Sequence, residues 1–428
     1  MGVVSSMYTA VTGLRAHGQA LGVTANNIAN ASTNGFKHSR AEFQDLMSKS
    51  LRGIFGGNQI GRGAKVSAVH EVLTQGNLEN TDRSTDVAIQ GRGYFIVDGF
   101  DGRSYTRNGE FEFDKDGFLI TSDHYRVQGF QANRDGQITN LLEDIQIPDA
   151  IVPAITTRTV KMDLNLDARV PSGRVFNAQD PYNSADYTTG VEVYDSQGAK
   201  HLITMAFNKV QPGVWEWRGL ANGSEVEGGR PGEYTEVAGG RVGFTPDGVL
   251  NTEELLNLSI NFAGGAAPDQ QIAFDFGDSL TTDGGTGIRG TKQYGSPSDL
   301  QAWSQDGSAA GQIVGLSFDD TGILTAMYDN GTTRDLAQIA IAKFDAPEAL
   351  FKAGNNKLKQ SRDSGESAIG RPTLGGRGQI YAKSIERSTV DIANEFVNMI
   401  QYQRNFQANA KQITTSDEML ADVIAMKR

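Results

Sequence analysis

No cysteine occurs among the 428 residues, which excludes disulfide staples and thiolate metal sites. Long apolar runs are missing too: none approaches the roughly 18 to 20 residues that a membrane span needs. The first residues lack a basic segment followed by an apolar core, so no cleaved signal peptide is expected. On composition alone the chain belongs in the cytoplasm, unless an export route exists that reads no such signal. Positive charge is in short supply, with 39 Lys and Arg against 51 Asp and Glu. A net charge of −12 argues against a nucleic-acid partner, whose phosphates call for clustered cations. The shortage is sharpest at the start, where Arg15 is the sole formally charged side chain before Lys37. That leaves a first segment suited to burial among other helices.

Glycine, by contrast, is abundant at 51 residues, well above the usual ~7%. It concentrates in the middle, as expected of many short strands joined tightly. The length suggests two to four domains. Both ends read as helix and nearly everything between reads as strand. A seven-residue repeat runs Val4, Met7, Val11, Leu14, Gly18, Leu21, Ala25, Ile28 at one end. At the other it runs Ile392, Phe396, Met399, Gln403, Phe406, Ala410, Ile413, Asp417, Leu420, Ile424. Alternating steps of three and four mark a coiled-coil seam. A helical stripe is more often ordinary core, but these two sit at opposite ends of a long chain and flank a body with its own strand signals. Each needs a partner helix: the other end of the same chain, then neighbouring copies. The expected assembly seam is Met7, Val11, Leu14, Leu21, Ile28, Phe396, Met399, Phe406, Ile413 and Leu420.

Asn26 to Gly35 should end the first helix, because Asn, Ser and Thr compete for backbone hydrogen bonds and Gly35 can take positive φ. Residues 32–75, with five glycines between Gly53 and Gly63, read as an irregular, partly extended linker. Asp86 to Val97 then reads as two short strands split by Gly91 and Gly93, and Glu110 to Ile120 as a hairpin turning at Lys115-Asp116-Gly117. Further turns are expected at Arg134-Asp135-Gly136, Ser196-Gln197-Gly198, Pro246-Asp247-Gly248, Asp320-Thr321-Gly322 and Asp329-Asn330-Gly331. Prolines 148, 153 and 171 and the Gly-rich run 277–298 bracket an insertion. The expected fold is multidomain: a terminal α-helical coiled coil joined to two all-β domains, the outer inserted in the inner. The helical core takes residues 1–31 and 384–428, the inner β domain 76–150 and 296–375, and the outer 151–295. Ser388-Thr-Val-Asp391 fits a capping-box-like start for the last helix. Thr415-Ser-Asp-Glu418 fits as well and would mark a break.

Nothing specifies catalysis, a cofactor or a metal. Gly285 to Lys292 is the nearest thing to a phosphate loop, but its Thr291 and Lys292 are transposed relative to what such a loop needs. A loop between β domains explains it better. Asp114-Lys-Asp116-Gly117 resembles a truncated calcium loop without the distant bidentate Glu, and a hairpin turn is the simpler reading. The five histidines show no ligand spacing, and Asp319-Asp320 falls in a turn.

The ends carry a resemblance. Asn26-Asn-Ile-Ala-Asn30, with Thr33 and Gly35-Phe-Lys37, is similar to the N-terminal signature of bacterial flagellar rod and hook proteins. Glu395-Phe-Val-Asn-Met-Ile400 and Gln403-Arg-Asn-Phe-Gln-Ala-Asn409 resemble the C-terminal one. Asp86-Val-Ala-Ile, Gly93-Tyr-Phe, Tyr105-Thr-Arg-Asn-Gly109 and Val193-Tyr-Asp-Ser-Gln-Gly198 add internal matches. Arg387-Ser-Thr-Val-Asp391 departs from the family's usual Ser-Asn-Val-Asp, so the last helix is capped differently. The length and the large insert point to the hook rather than the rod. The resemblance implies a helical homopolymer, with terminal helices inside around a channel and β domains outward. It also implies a curved tube that transmits torque as a universal joint, located outside the cell. Export would be unfolded, through the flagellar type III apparatus, with distal rod, hook cap and hook–filament junction proteins as neighbours. No cofactor, nucleic acid or membrane insertion is implied. Another axial component, distal rod or junction, is the alternative. A secreted β-rich adhesin or glycan-active enzyme is a third reading, which predicts a soluble monomer with ligand or turnover.

Overall fold

The computed structural model describes residues 2–47, 49–50, 59–133, 136–147, 151–256 and 259–426. The expected turn at Arg134-Asp135 and much of the linker's glycine-rich stretch therefore lie outside the described residues. The chain divides into two compact units, one of residues 1–148, 315–326 and 333–428 and the other of residues 149–314 and 327–332.

In the first unit, a helix spans Gly2–Ala29 and another Ile392–Ala425. The second begins later than residue 384, because Gln379–Ala382 and Ser384–Glu386 are strands paired with Val87–Gln90 and Leu78–Asn80. Asp391 is its N-cap, accepting from the Ala393 and Asn394 amides, so Ser388 is not the capping residue. No break occurs at Thr415. Part of the expected linker is a regular hairpin, with Ser39–Asp45 antiparallel to Ala64–Glu71 and a bulge at Glu42/Phe43.

The β body of this unit is antiparallel. Tyr94–Gly99 pairs with Gly102–Thr106 and with Arg126–Ala132, which also pairs with Ile138–Asp144 and Thr333–Ile339. Tyr94, Phe95, Ile96 and Val97 are all buried, as in a strand covered on both faces. The Tyr94, Ile96 and Tyr105 side chains pack with Phe130 and Phe344. Phe95 meets Phe111 edge-on at 5.2 Å. Asp114 makes the turn before Gly117: its Oδ1 accepts from the Asp116 and Phe118 amides, and Gly117 takes φ 79°. The carboxylate is occupied by the backbone, which makes this a hairpin turn.

The second unit holds a five-stranded antiparallel sheet in sequence order, Tyr187–Tyr194, Lys200–Gln211, Val214–Asn222, Tyr234–Phe244 and Leu250–Leu256. A three-stranded sheet places Thr159–Asn165 between Ala273–Asp275 and Asp299–Gln305. Its core is aromatic: Trp217 lies 5.3 Å from Phe274 and 5.2 Å from Phe276, with Trp215 and Phe207 fully buried nearby. The Gly-rich segment around Thr291 packs onto this core, the Thr291 hydroxyl donating to the Met162 carbonyl at 3.1 Å.

Candidate functional site: the helix pair and its polar base

The two terminal helices pack antiparallel within the first unit. Ser6 and Ser416 hydroxyls lie 3.4 Å apart, a β-carbon on Gly13 would come 2.8 Å from Asn409 Oδ1, and Asn27 Nδ2 donates to Glu395 Oε1 at 3.2 Å. As one number rises the other falls. Contacts across the pair run through Ser6, Gly13, His17, Gly18 and Asn27 on the first helix. Gly18 and its neighbour Phe406 belong to the apolar stripes, and Ser6, Gly13, His17 and Asn27 each sit one residue before a stripe position. Ala10, Ala20, Thr24 and Asn27 are buried, as are Glu395 and Ser416 opposite. On the first helix the residues that make these contacts are small or polar, and they meet Glu395, Tyr402, Phe406, Asn409 and Ser416.

The ten residues expected on the seam keep part of their surface exposed within one chain. Met7, Val11, Leu14, Leu21, Ile28, Met399, Phe406, Ile413 and Leu420 are half-buried, and Phe396 is 48% exposed. Phe406 reaches across to Gly18, where a β-carbon would sit 3.7 Å from its ring. More exposed still are Tyr8 at 70%, Val397 at 63% and Ile424 at 70%. Tyr8 and Val397 lie off the expected stripe. Their signal was present as apolar residues beside it, but a strict heptad omits them.

At the base of the pair is a polar junction that periodicity did not reveal. Asn27 spends its amide on both sides of Ser39, accepting from its N–H at 2.9 Å and donating to its carbonyl at 2.8 Å. His38 N–H donates to Thr389 Oγ1 at 3.0 Å, and Thr389 N–H to the Phe36 carbonyl at 3.1 Å. Lys37 Nζ pairs with Glu386 Oε1 at 2.5 Å and donates to the Thr74 carbonyl at 2.7 Å. Arg107 Nη1 lies 3.4 Å from Glu386 Oε2. Burial pulls the Lys37 ammonium below its usual pKa, while Glu386 acts to raise it. Above this junction the rings of His17, Phe43 and Tyr402 cluster with centroids 5.4 to 6.1 Å apart, joining both helices to the hairpin strand. Burial also lowers the His17 pKa.

The same segments carry the likeness to known proteins. Residues 7–37 match the family described as flagella basal body rod protein, and 382–426 the flagellar basal body rod FlgEFG protein C-terminal family. Between them, 88–163 match the flagellar hook protein FlgE/F/G D1 domain and 165–308 the flagellar basal body protein FlaE D2 domain. The flagellar hook protein FlgE of Treponema pallidum is 31% identical, with 100% of both chains covered. The chain belongs to the flagellar hook protein family. The hook protein FlgE of Borreliella burgdorferi is 31% identical over 99% of this chain and 100% of its own, and that of Escherichia coli 31% over 98% and 99%. The crystal structure of Helicobacter pylori flagellar hook protein FlgE2 shares the fold, with a TM-score of 0.53 at 15% identity over 72% of this chain and 100% of that one. As a hook family member the chain is a structural subunit of the flagellum. No helix among the described residues is long and apolar enough to cross a membrane.

Proposed function

We propose that this hook subunit polymerises into a curved, flexible tube that acts as a universal joint, passing motor torque to the filament. The observation that carries this reading is the outward face of the helix pair. Within one chain the first helix meets its partner through serine, glycine, histidine and asparagine, and Tyr8, Phe396, Val397, Ile400 and Ile424 are left facing water. Burying such side chains yields about 1.5–3 kcal/mol each, and in a homopolymer the surface that buries them is another helix pair. Met7, Val11, Leu14, Leu21, Ile28, Phe396, Met399, Phe406, Ile413 and Leu420 then become a coiled-coil seam between copies, lining an inner tube that resists twisting.

The second unit lies outward of that tube, inserted in the inner β body, with polar surfaces that change partners at small cost during bending. The chain travels unfolded through the flagellar type III export apparatus, and absent cysteine suits that passage. The distal rod, hook cap and hook–filament junction proteins are its neighbours in the axial structure. Electron microscopy of the purified full-length chain at high concentration tests the reading. Tubes with the terminal helices innermost are expected; a chain that stays monomeric at every concentration, or tubes with those helices outermost, would refute it.

A further inference from the structure

We propose that Glu386 is the positioning residue of the hook subunit's inner joint, fixing through Lys37 and Arg107 the direction in which the helix pair leaves the β body. This rests on the reading of the helix pairs as the inner layer of a tube. Glu386 has no exposed side-chain surface, and the Lys37 side chain is 6% exposed and Arg107 11%. Each oxygen has its own partner. Oε1 accepts from Lys37 Nζ and from the Gly76 N–H at 2.8 Å, and Oε2 faces Arg107 Nη1. The Glu386 carbonyl accepts from the Gly35 N–H at 2.7 Å. One residue therefore ties together the segment leaving the first helix, the segment after the hairpin, a strand end of the β body, and the approach to the last helix.

Two glycines permit this convergence. Gly35 takes φ 73°, and a β-carbon there would come 2.9 Å from the Arg107 carbonyl carbon and the Asn108 nitrogen. A β-carbon at Gly76 would collide with the Arg387 carbonyl and lie 3.2 Å from Glu386 Cγ. Stability alone does not call for such a cluster, since buried charges lose hydration and apolar replacements often stabilise as well. Directional bonds from three chain segments to one carboxylate do something apolar packing does not: they admit one geometry. A joint whose angle is defined subunit by subunit is what a tube of identical copies requires, because a small angular error repeats along it.

The test uses the full-length chain with two added cysteines for spin labels, which its cysteine-free sequence makes unambiguous. Gly22→Cys lies on the open side of the first helix and Lys115→Cys on an exposed turn of the β body. Distances between the labels are measured in the monomer, and tubes are imaged separately. With Glu386→Gln the distance distribution should broaden severalfold and tubes should lose uniform curvature. The tryptophan fluorescence of the second unit, which holds Trp215, Trp217 and Trp303, should be unchanged. Lys37→Met combined with Glu386→Gln, leaving one cation facing one amide oxygen, should narrow the distribution again. An unchanged distribution, wild-type tubes, no rescue by the double variant, or unfolding of the β body in both variants would each overturn the assignment. If the unsubstituted chain forms no tubes while its distance distribution is narrow and broadens with Glu386→Gln, the joint stands and the assembly reading falls.

Discussion

Glu253 shows how a single side chain sets a condition on stability. It lies on Leu250–Leu256 with its Oε1 buried and unpartnered among the described residues, and Asp283 and Asp275 are nearby. Burial first, then those two carboxylates, push its pKa up to about 7. The neutral acid is favoured in the folded state, so its contribution is fully present below the unfolded value and is lost as pH rises through about 7. The second unit's stability to denaturant should therefore fall between about pH 4.5 and 7, and Glu253→Gln should flatten that slope. An unchanged slope would remove the argument. Glycines differ in the same residue-by-residue way. Gly76→Ala must displace the Arg387 carbonyl and should destabilise the first unit by about 1–3 kcal/mol. Gly22, with nothing within 4 Å of a β-carbon, should tolerate Ala with a gain of up to about 1 kcal/mol. Thermal unfolding of the two variants side by side checks both.

For the helices, the sequence carried the period. Seven-residue spacing announced two long helices at the ends. Within the chain, Gly13 meets Asn409, Gly18 meets Phe406 and Asn27 meets Glu395, and most of the apolar stripe stays half-buried. Turns were legible because Gly117, Gly198, Gly248, Gly322 and Gly331 all take positive φ at strand connections. The polar base was not, since Lys37 and Glu386 are 349 residues apart and no local pattern links them. The two helix faces predict opposite outcomes. Ala20→Leu overpacks a fully buried position of the first helix and should cost about 1–3 kcal/mol in the monomer. Leu21→Asp and Ile413→Asp change half-buried positions, so they should leave the monomer's unfolding nearly unaltered and abolish tubes seen by electron microscopy. Normal tubes from both Asp variants would dismiss the seam between copies.

At the scale of the whole molecule, the question is which part holds the tube and which part tunes it. Residues 153–310 of the second unit leave and return at one place, because Ile151 pairs with Gln312 and Val152 with Gly311 in an antiparallel ladder. Paired residues in such a ladder lie about 5 Å apart, a gap that a two-residue Asn-Gly turn spans without strain. Replacing residues 153–310 with that turn therefore asks nothing of the helix pair or of the buried charges at its base. The hydrophobic core around Trp215, Trp217 and Phe276 leaves with the deleted segment as a self-contained set, so little apolar surface should be newly exposed. If the helix pairs carry assembly, the shortened chain should still form tubes, of smaller outer diameter. Their bending stiffness and resting curvature, measured from filament images, should depart from those of the full chain because the outer contacts that slide during bending are gone. A shortened chain that folds yet never assembles would place essential contacts in the second unit and overturn this division of labour.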